Sequence, residues 1–454
     1  MIPERFSERM KETLGAEYAE FAAALEREAV KGARVNESKI SVEDFLALGS
    51  FEVEALSYAR DGFILKNPEG VGLTAEHHAG MIYIQDPGAM ATVNALDIKE
   101  GWRVLDACSA PGGKASQLSQ KIGESGLLIS NEFVPKRAKI IVSNFERLGI
   151  KNALILSQDT AKFKEMFANY FDLVLCDAPC SGEGMFRKYD EALEEWSEEN
   201  VLASAKRQRE ILLNLAPLVR EGGYLLYSTC TYSKEENEEN IAYFLRERDD
   251  YTLVPVAKEV CDVTAEGLCT EGLCEEHRRA CRRFYPHISE GEGQFIALLQ
   301  RKSAGEPEIL YKDQATPLSK SEEAEVKSFI KECLGYIPEG RLIRQGDFAV
   351  LAGHGCPIPK YSVFMSGVAV GEIKKGRIEP HHQFFSAYGR EFLNKENLRK
   401  GDPRLLAYLR GEEIEAKEAK GGYLALLYEG APLGGGKASG GRIKNHYPKG
   451  LRNK

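Results

Sequence analysis

From residue 96 onward, short apolar runs alternate with helical stripes, and this alternation constrains the chain more than any other feature. Trp102-Arg-Val-Leu-Asp106, Leu127-Leu-Ile-Ser-Asn-Glu132, Ala153-Leu-Ile-Leu-Ser-Gln-Asp159, Phe171-Asp-Leu-Val-Leu-Cys-Asp177 and Tyr224-Leu-Leu-Tyr-Ser-Thr-Cys230 read as strands. Between them, Ala115, Leu118 and Ile122 start a helix closed by Gly123. Pro135 opens a second, with Ile140, Ile141, Phe145 and Leu148 inward and Gly149 as its stop. Val201, Ala205, Leu212, Leu215 and Val219 stripe a longer helix before Gly222-Gly223. Strands alternating with helices imply a parallel, doubly wound α/β sheet. The unbroken run Leu173, Val174, Leu175 suits a strand covered on both faces.

In such sheets ligands bind at the carboxyl ends of the strands. Here those ends carry chemistry. The first strand ends in Asp106, the second in Glu132, the third in Asp159 and the fourth in Asp177. A tight turn, Cys108-Ser-Ala-Pro-Gly-Gly-Lys114, follows the first strand, and its glycines let a ligand approach the backbone closely. An acid after the second strand can accept both hydroxyls of a ribose, and a third acid can receive an adenine amino group. GxGxxG and GxxxxGK[ST] are both absent, which disfavours dinucleotide and P-loop readings. A nucleoside-bearing cofactor remains, and the residues alone do not choose among adenosine ligands. Cys180, in the Pro-Ser-Gly turn after the fourth strand, and Cys230, at the end of the fifth, add two sulfurs beside Asp177. Two cysteines and a carboxylate at neighbouring strand ends make a nucleophilic site. Each cysteine read alone is a small buried apolar residue, but their joint placement argues otherwise.

At 454 residues the chain holds two or three domains. No apolar run approaches the roughly 18 residues of a membrane span, and Met1-Ile-Pro-Glu-Arg-Phe lacks the order of a signal peptide. The expectation is a cytoplasmic protein whose ten cysteines are reduced, with no membrane partner. A net charge of −9 is weak evidence against nucleic acid, because a local basic face can still bind RNA.

Three regions follow: a mixed α/β lead-in over residues 1–95, the βα core over 96–302, and a further α/β or mostly β region over 303–454. In the lead-in, Tyr18, Phe21, Ala22, Leu25 and Ala29 fall at helical spacing, and Arg34 and Asn36 read as a solvated loop. Cys261, Cys269, Cys274 and Cys281 cluster with His277 and His287 without any CxxC pair, so a reduced, incidental cluster is preferred to zinc, and no metal is expected. Lys302-Ser-Ala-Gly-Glu-Pro307 reads as a linker. After Gly430 the chain is acid-free, with Lys437, Arg442, Lys444, Lys449, Arg452 and Lys454 among glycines. A solvated tail is the plain reading and a flexible RNA-contacting loop the sharper one.

Asp106-Ala-Cys-Ser-Ala-Pro-Gly-Gly-Lys114, Asp177-Ala-Pro-Cys-Ser-Gly182 and Ser228-Thr-Cys230 together resemble the RNA cytosine-5 methyltransferase family of the Sun/NOP type. Cys180-Ser-Gly-Glu-Gly-Met-Phe-Arg-Lys188, Arg283-Phe-Tyr-Pro-His287, Gly434-Gly-Gly-Lys-Ala-Ser439 and Lys444-Asn-His-Tyr-Pro-Lys-Gly-Leu-Arg452 resemble its bacterial RsmF-like branch, which acts on 16S ribosomal RNA. The resemblance implies a Rossmann-like class I methyltransferase core between an N-terminal RNA-facing α/β domain and a C-terminal PUA-like RNA-binding domain. It implies S-adenosylmethionine in a cradle of Cys108, Ser109, Ala110, Pro111, Gly112, Gly113 and Lys114. Glu132 would hold the ribose, Asp159 the adenine edge, and Asp177 would lie between cofactor and base. Lys114 is open between cofactor and target nucleotide. Cys230, Cys180 and Asp177 are the expected catalytic residues, with Cys230 as nucleophile. Arg34, Asn36, Arg187, Lys188, Lys437, Lys444 and Lys449 are the expected RNA contacts. The implied partner is 16S rRNA, free or within the small subunit, with tRNA the runner-up, and the protein is expected to be a monomer.

Carbon 5 of cytosine is a poor nucleophile, and a thiolate added to carbon 6 turns the ring into an enamine that can take a methyl group. Asp177 can neutralise charge near nitrogen 3 only by sharing a proton. Cys180, or a water it orders, is the candidate base for the carbon-5 proton. The target base must be unstacked to reach the site. Two other classes compete. An exocyclic-amine methyltransferase needs an Asn or Asp-Pro-Pro-aromatic turn, which Asp177-Ala-Pro-Cys180 is not. A non-catalytic RNA-binding ribosome-assembly factor would be expected to lose Cys230 or the glycine turn, and both are present.

Overall fold

A computed structural model describes residues 2–303, 313–353, 355–359 and 362–453. The expected linker lies outside them from residue 304. The core strands are β1 (Arg103–Asp106), β2 (Leu127–Asn131), β3 (Ala153–Leu156), β4 (Phe171–Asp177), β5 (Val219–Thr229), β6 (Tyr251–Val254) and β7 (Gln294–Arg301). They lie side by side as β3-β2-β1-β4-β5-β7-β6. The first five are mutually parallel, and β7 runs antiparallel to both β5 and β6. The order reverses between β1 and β4, so the crevice a doubly wound sheet offers to ligands opens beyond Asp106 and Asp177.

Among the helices that cover this sheet are α1 (Gly113–Ile122), α2 (Pro135–Leu148) and α3 (Glu198–Leu215). Gly123 and Gly149 close the first two with positive φ, as the sequence predicts. Two details differ. Ile140 is 48% exposed, because the inward stripe of α2 runs through Ala138, Ile141, Phe145 and Leu148. Val219 belongs to β5 rather than to the helix, because Pro217 ends the helical path in a short 3-10 turn. The core is built from Leu105, Ile129, Leu154, Val174 and Leu225 on one face and Val104, Leu128, Leu175, Ile141 and Phe145 on the other.

Before the core, helices Glu4–Leu14 and Tyr18–Leu25 precede a four-stranded antiparallel sheet of Gly32–Val35, Val53–Leu56, Ala59–Leu65 and Ile82–Gln85. After the core come two five-stranded sheets, and a strand Val363–Met365 that adds antiparallel to the free side of β3. The acid-free stretch after Gly430 is ordered rather than a flexible loop. It forms the hairpin Ala431–Ser439 and Arg442–Asn445. Its glycines serve close packing: a Cβ on Gly435 would sit 2.4 Å from the Phe385 ring, so helix His382–Tyr388 lies directly on the strand. This last sheet shares a hydrophobic cluster with the N-terminal sheet, where Val35, Phe63 and Ile82 meet Leu424, Leu426 and Tyr447. His78 joins the two through Tyr447 Oη at 2.7 Å and Asn453 Oδ1 at 2.8 Å.

Candidate active site

The turn after β1 packs closely against α2. Gly112 has φ +104°, and a Cβ there would press on Phe145 at 3.3 Å. Ser109 N–H donates to Asn131 O at 2.8 Å and Gly112 N–H to Ser109 O at 2.7 Å, which fixes the loop against the end of β2. Asn131 in turn donates to Ala107 O and Gln158 O, both at 3.0 Å, so one amide ties the ends of β1, β2 and β3 together. Glu132 is buried and its Oε1 accepts from Val134 N–H at 2.9 Å, with Arg137 3.5 Å from Oε2. Asp159 is exposed and caps a short 3-10 turn through Ala161 N–H at 3.0 Å.

Asp106 is different. It is buried, and neither carboxylate oxygen has a partner in hydrogen-bond geometry among the described residues. Burial first, then Asp177, push its carboxyl up to about 7, partly offset by Lys114, Ser109 and the Cys108 amide nearby. This buried carboxyl, with no partner in hydrogen-bond geometry among the described residues, sits at the switch point itself.

Across the crevice, β4 and β5 deliver the catalytic candidates. Asp177 accepts from Lys114 Nζ at 2.8 Å and from Ser228 Oγ at 2.6 Å, one on each oxygen. Burial pulls the Lys114 ammonium down, but Asp177, then Cys230 and Asp106, outweigh it, so it stays protonated above its ordinary value. Lys114 is therefore committed to Asp177 in this structure rather than reaching outward. The Cys180 and Cys230 sulfurs lie 3.2 Å apart, both as free cysteines. The hydrogen bond to Cys230, then burial, hold the Cys180 thiol well above the ordinary cysteine range. The two sulfurs meet at the neighbouring ends of β4 and β5, and either can donate to the other. The arrangement offers two adjacent cysteine sulfurs and an ammonium–carboxylate pair within a single crevice.

The surroundings explain why these side chains stay put. Glu183 accepts from Thr231 Oγ1 at 2.9 Å, Tyr232 N–H at 3.0 Å and Trp196 Nε1 at 2.9 Å. Arg283 ion-pairs with Glu238 and donates to Tyr232 O at 2.8 Å. Gln208 and Glu236 hold the turn that carries Cys180. Glu236 and Glu238 escape a sequence reading because Glu235-Glu236-Asn237-Glu238-Glu239-Asn240 looks like a solvated acidic run. Yet Glu236, Asn237, Glu238 and Asn240 are fully buried. The available signal is the position of this run immediately after the strand-end cysteine.

The expected RNA contacts divide. Lys437, Lys444 and Lys449 are exposed, and Lys437 and Lys444 are cross-strand partners in the last hairpin. The other four are engaged by protein partners. Arg34 is 1% exposed and spends its guanidinium on Gln85, Ser116 and Gln120. Asn36 is equally buried and donates to Gly80 O at 2.8 Å and Leu148 O at 3.0 Å. Both pin the N-terminal sheet to α1 and α2. Arg187 is buried against Glu292 at 2.9 Å and donates to Gly291 O and Ala24 O, and Lys188 is held by Asp86 at 2.6 Å. The outlying cysteines do not gather: Cys281 is buried, Cys269 and Cys274 are exposed, and no group of three metal-ligating side chains forms among the described residues.

Comparison with known proteins matches this geometry. Residues 93–300 match the model of the 16S rRNA methyltransferase RsmB/F family, residues 2–87 that of the N-terminal domain of 16S rRNA methyltransferase RsmF, and residues 395–453 that of the methyltransferase RsmF PUA domain. The ribosomal RNA small subunit methyltransferase F of Klebsiella pneumoniae is 31% identical over 475 residues, covering 99% of this chain and 96% of its own. That of Aliivibrio fischeri is 31% identical, covering 99% and 97%. Among solved structures, a methyltransferase homologue from Pyrococcus horikoshii superposes with TM-score 0.57 at 30% identity, over 66% of this chain and 95% of its own.

The cofactor is S-adenosylmethionine, and the residues present fit it. Glu132 lies buried just past the end of β2, and Asp106 presents two buried oxygens without protein donors among the described residues. By its fold, its strand-end site and its full-length similarity, the chain belongs to the 16S rRNA methyltransferase RsmB/F family, in the RsmF-type branch that carries its own N-terminal and PUA domains.

Proposed function

We propose that this protein methylates carbon 5 of a cytosine in 16S ribosomal RNA through a covalent link between Cys230 and the base. The observation that carries this reading is the pair of sulfurs 3.2 Å apart, at strand ends that also hold the Lys114–Asp177 ion pair. When bound, S-adenosylmethionine supplies an electrophilic methyl group. The Cys230 thiolate adds to carbon 6, forming the C–S bond and making carbon 5 nucleophilic. The Lys114–Asp177 pair, 2.8 Å apart, places a proton donor and an acceptor beside the ring to meet charge near nitrogen 3. After methylation, the carbon-5 proton passes to a water ordered by Cys180, which carries it to solvent. The ring electrons then expel Cys230 as thiolate.

Glu132 and Asp159 are assigned to the adenosine, and residues Cys108–Lys114 to the cradle. Residues 1–95, 96–302 and 303–454 act as RNA-side domain, catalytic core and PUA-bearing region. RNA contact is assigned to Lys437, Lys444 and Lys449. Two lysines facing each other across a hairpin repel, and a phosphate between them relieves this. Both cysteines, the cradle and these lysines come from one chain, so a monomer suffices. Free cysteines throughout the described residues suit a reducing cytoplasm. Among the described residues no helix is long and apolar enough to cross a membrane. The test is tritium release from 16S rRNA labelled at cytosine carbon 5, measured on naked RNA and on assembled small subunits. Release dependent on S-adenosylmethionine supports the reading. Methyl incorporation without tritium release, or methylation of tRNA alone, contradicts it.

A further inference from the structure

Cys180 is gripped from both sides by two residues distant in the chain. Gln208, on α3, donates through Nε2 to Pro179 O at 2.9 Å, the peptide group preceding Cys180. Glu236 accepts from Ser181 N–H at 3.0 Å, the peptide group following it. The two grips are one unit, because Gln208 Nε2 also donates to Glu236 Oε2 at 2.7 Å. Tyr227 Oη sits 3.1 Å from Gln208 Oε1 and donates to Glu236 O at 2.6 Å. The Ser181 hydroxyl bonds the other Glu236 oxygen and meets Thr231 Oγ1 at 2.9 Å. Both gripping side chains are fully buried. The backbone of Cys230 is anchored by a separate bond, Gly184 N–H to Cys230 O at 2.9 Å.

We propose that Gln208 and Glu236 are positioning residues for Cys180, and that they serve the release of methylated RNA rather than attack or methyl transfer. The proposal rests on the assignment of Cys180 to release. The physical reason is leverage. A thiol on a Pro-Cys-Ser turn can be aimed only by fixing the two flanking peptide planes, and these residues fix one each. Loosening either lets the Cys180 sulfur drift from carbon 5 while β5 still carries Cys230. A displacement of this kind costs about tenfold to a hundredfold in the step it serves.

The full-length protein is incubated with 16S rRNA and S-adenosylmethionine carrying a labelled methyl group. Single-turnover methyl incorporation and the protein–RNA adduct on a denaturing gel are followed together for wild type, Cys180→Ala, Gln208→Met, Glu236→Ala and Glu236→Gln. Gln208→Met and Glu236→Ala are expected to accumulate adduct on methylated RNA, with release slowed about tenfold or more and methyl transfer within about twofold of wild type. Glu236→Gln keeps an acceptor for Ser181 N–H and should fall between. A purely structural role would slow transfer and release together, and that result overturns the proposal. So does wild-type adduct in Gln208→Met, a variant that removes the grip at similar volume and decides the matter if Glu236→Ala does not fold. If Cys180→Ala itself traps nothing, the assignment of Cys180 fails and the proposal fails with it. If Cys180→Ala traps adduct and the clamp variants do not, only the proposal fails.

Discussion

Asp106→Asn should stabilise the cofactor-free protein in alkaline solution and leave it unchanged in acid. Asp106 closes β1 with both oxygens buried and without donors among the described residues. Burial, then Asp177, raise its carboxyl from 3.8 to about 7. The folded state holds that proton up to about pH 7, whereas the unfolded chain releases it near the ordinary value. Between those limits the folded state binds more protons, so stability falls as pH rises. Below the unfolded value both states are protonated and the penalty vanishes. Above about 7 it is complete. A shift of about three units at about 1.36 kcal/mol each gives about 4 kcal/mol. Asn does not titrate, so its advantage over wild type should grow from about zero near pH 4 to that scale near pH 8. Glu146 and Glu236, also raised to about 7 by burial, titrate in both proteins and cancel in the difference. Urea unfolding, followed through Trp102 and Trp196, measures this at each pH. A difference that does not change with pH would refute the assignment of a raised Asp106 carboxyl.

Glu132→Ala should weaken S-adenosylmethionine binding by about 1–3 kcal/mol in calorimetry, the scale of a missing charge-assisted hydrogen bond. Unchanged affinity removes Glu132 from the site. Replacing Lys437, Lys444 and Lys449 by Glu should weaken RNA binding and flatten its salt dependence, by about 0.7–0.9 in slope for each phosphate no longer neutralised. Truncation at residue 431 is the wrong test, because it removes two strands and the Tyr447 packing. Asn36→Leu should cost about 1–3 kcal/mol of stability by orphaning the carbonyls of Gly80 and Leu148. RNA affinity that falls while stability holds would return Asn36 to the RNA face.

Strand ends were legible because parallel strands buried on both faces must be unbroken apolar runs, and the residues that interrupt them mark ligand positions. Asp177, Cys180 and Cys230 could be placed side by side on that basis alone. What stayed hidden depended on contacts between distant segments. Arg34 and Asn36 carry polar side chains that sequence assigns to solvent, yet they satisfy carbonyls and amides at a domain junction. The glycines of the last hairpin suggest flexibility until Tyr408, Phe385 and Ile443 are seen packed against Gly434, Gly435 and Gly436 in turn. The buried Glu236–Glu238 run reads as surface because nothing local reveals Gln208 or Arg283.

The central claim is that the two cysteines act in sequence, Cys230 first and Cys180 last. A denaturing gel of Cys230→Ala and Cys180→Ala, each incubated with 16S rRNA and S-adenosylmethionine, tests it most directly. The account predicts no shifted band for Cys230→Ala, since nothing attacks carbon 6. It predicts a strong shifted band for Cys180→Ala, with methylated RNA joined to Cys230. A shifted band from Cys230→Ala with none from Cys180→Ala would reverse the roles of the two sulfurs and contradict it.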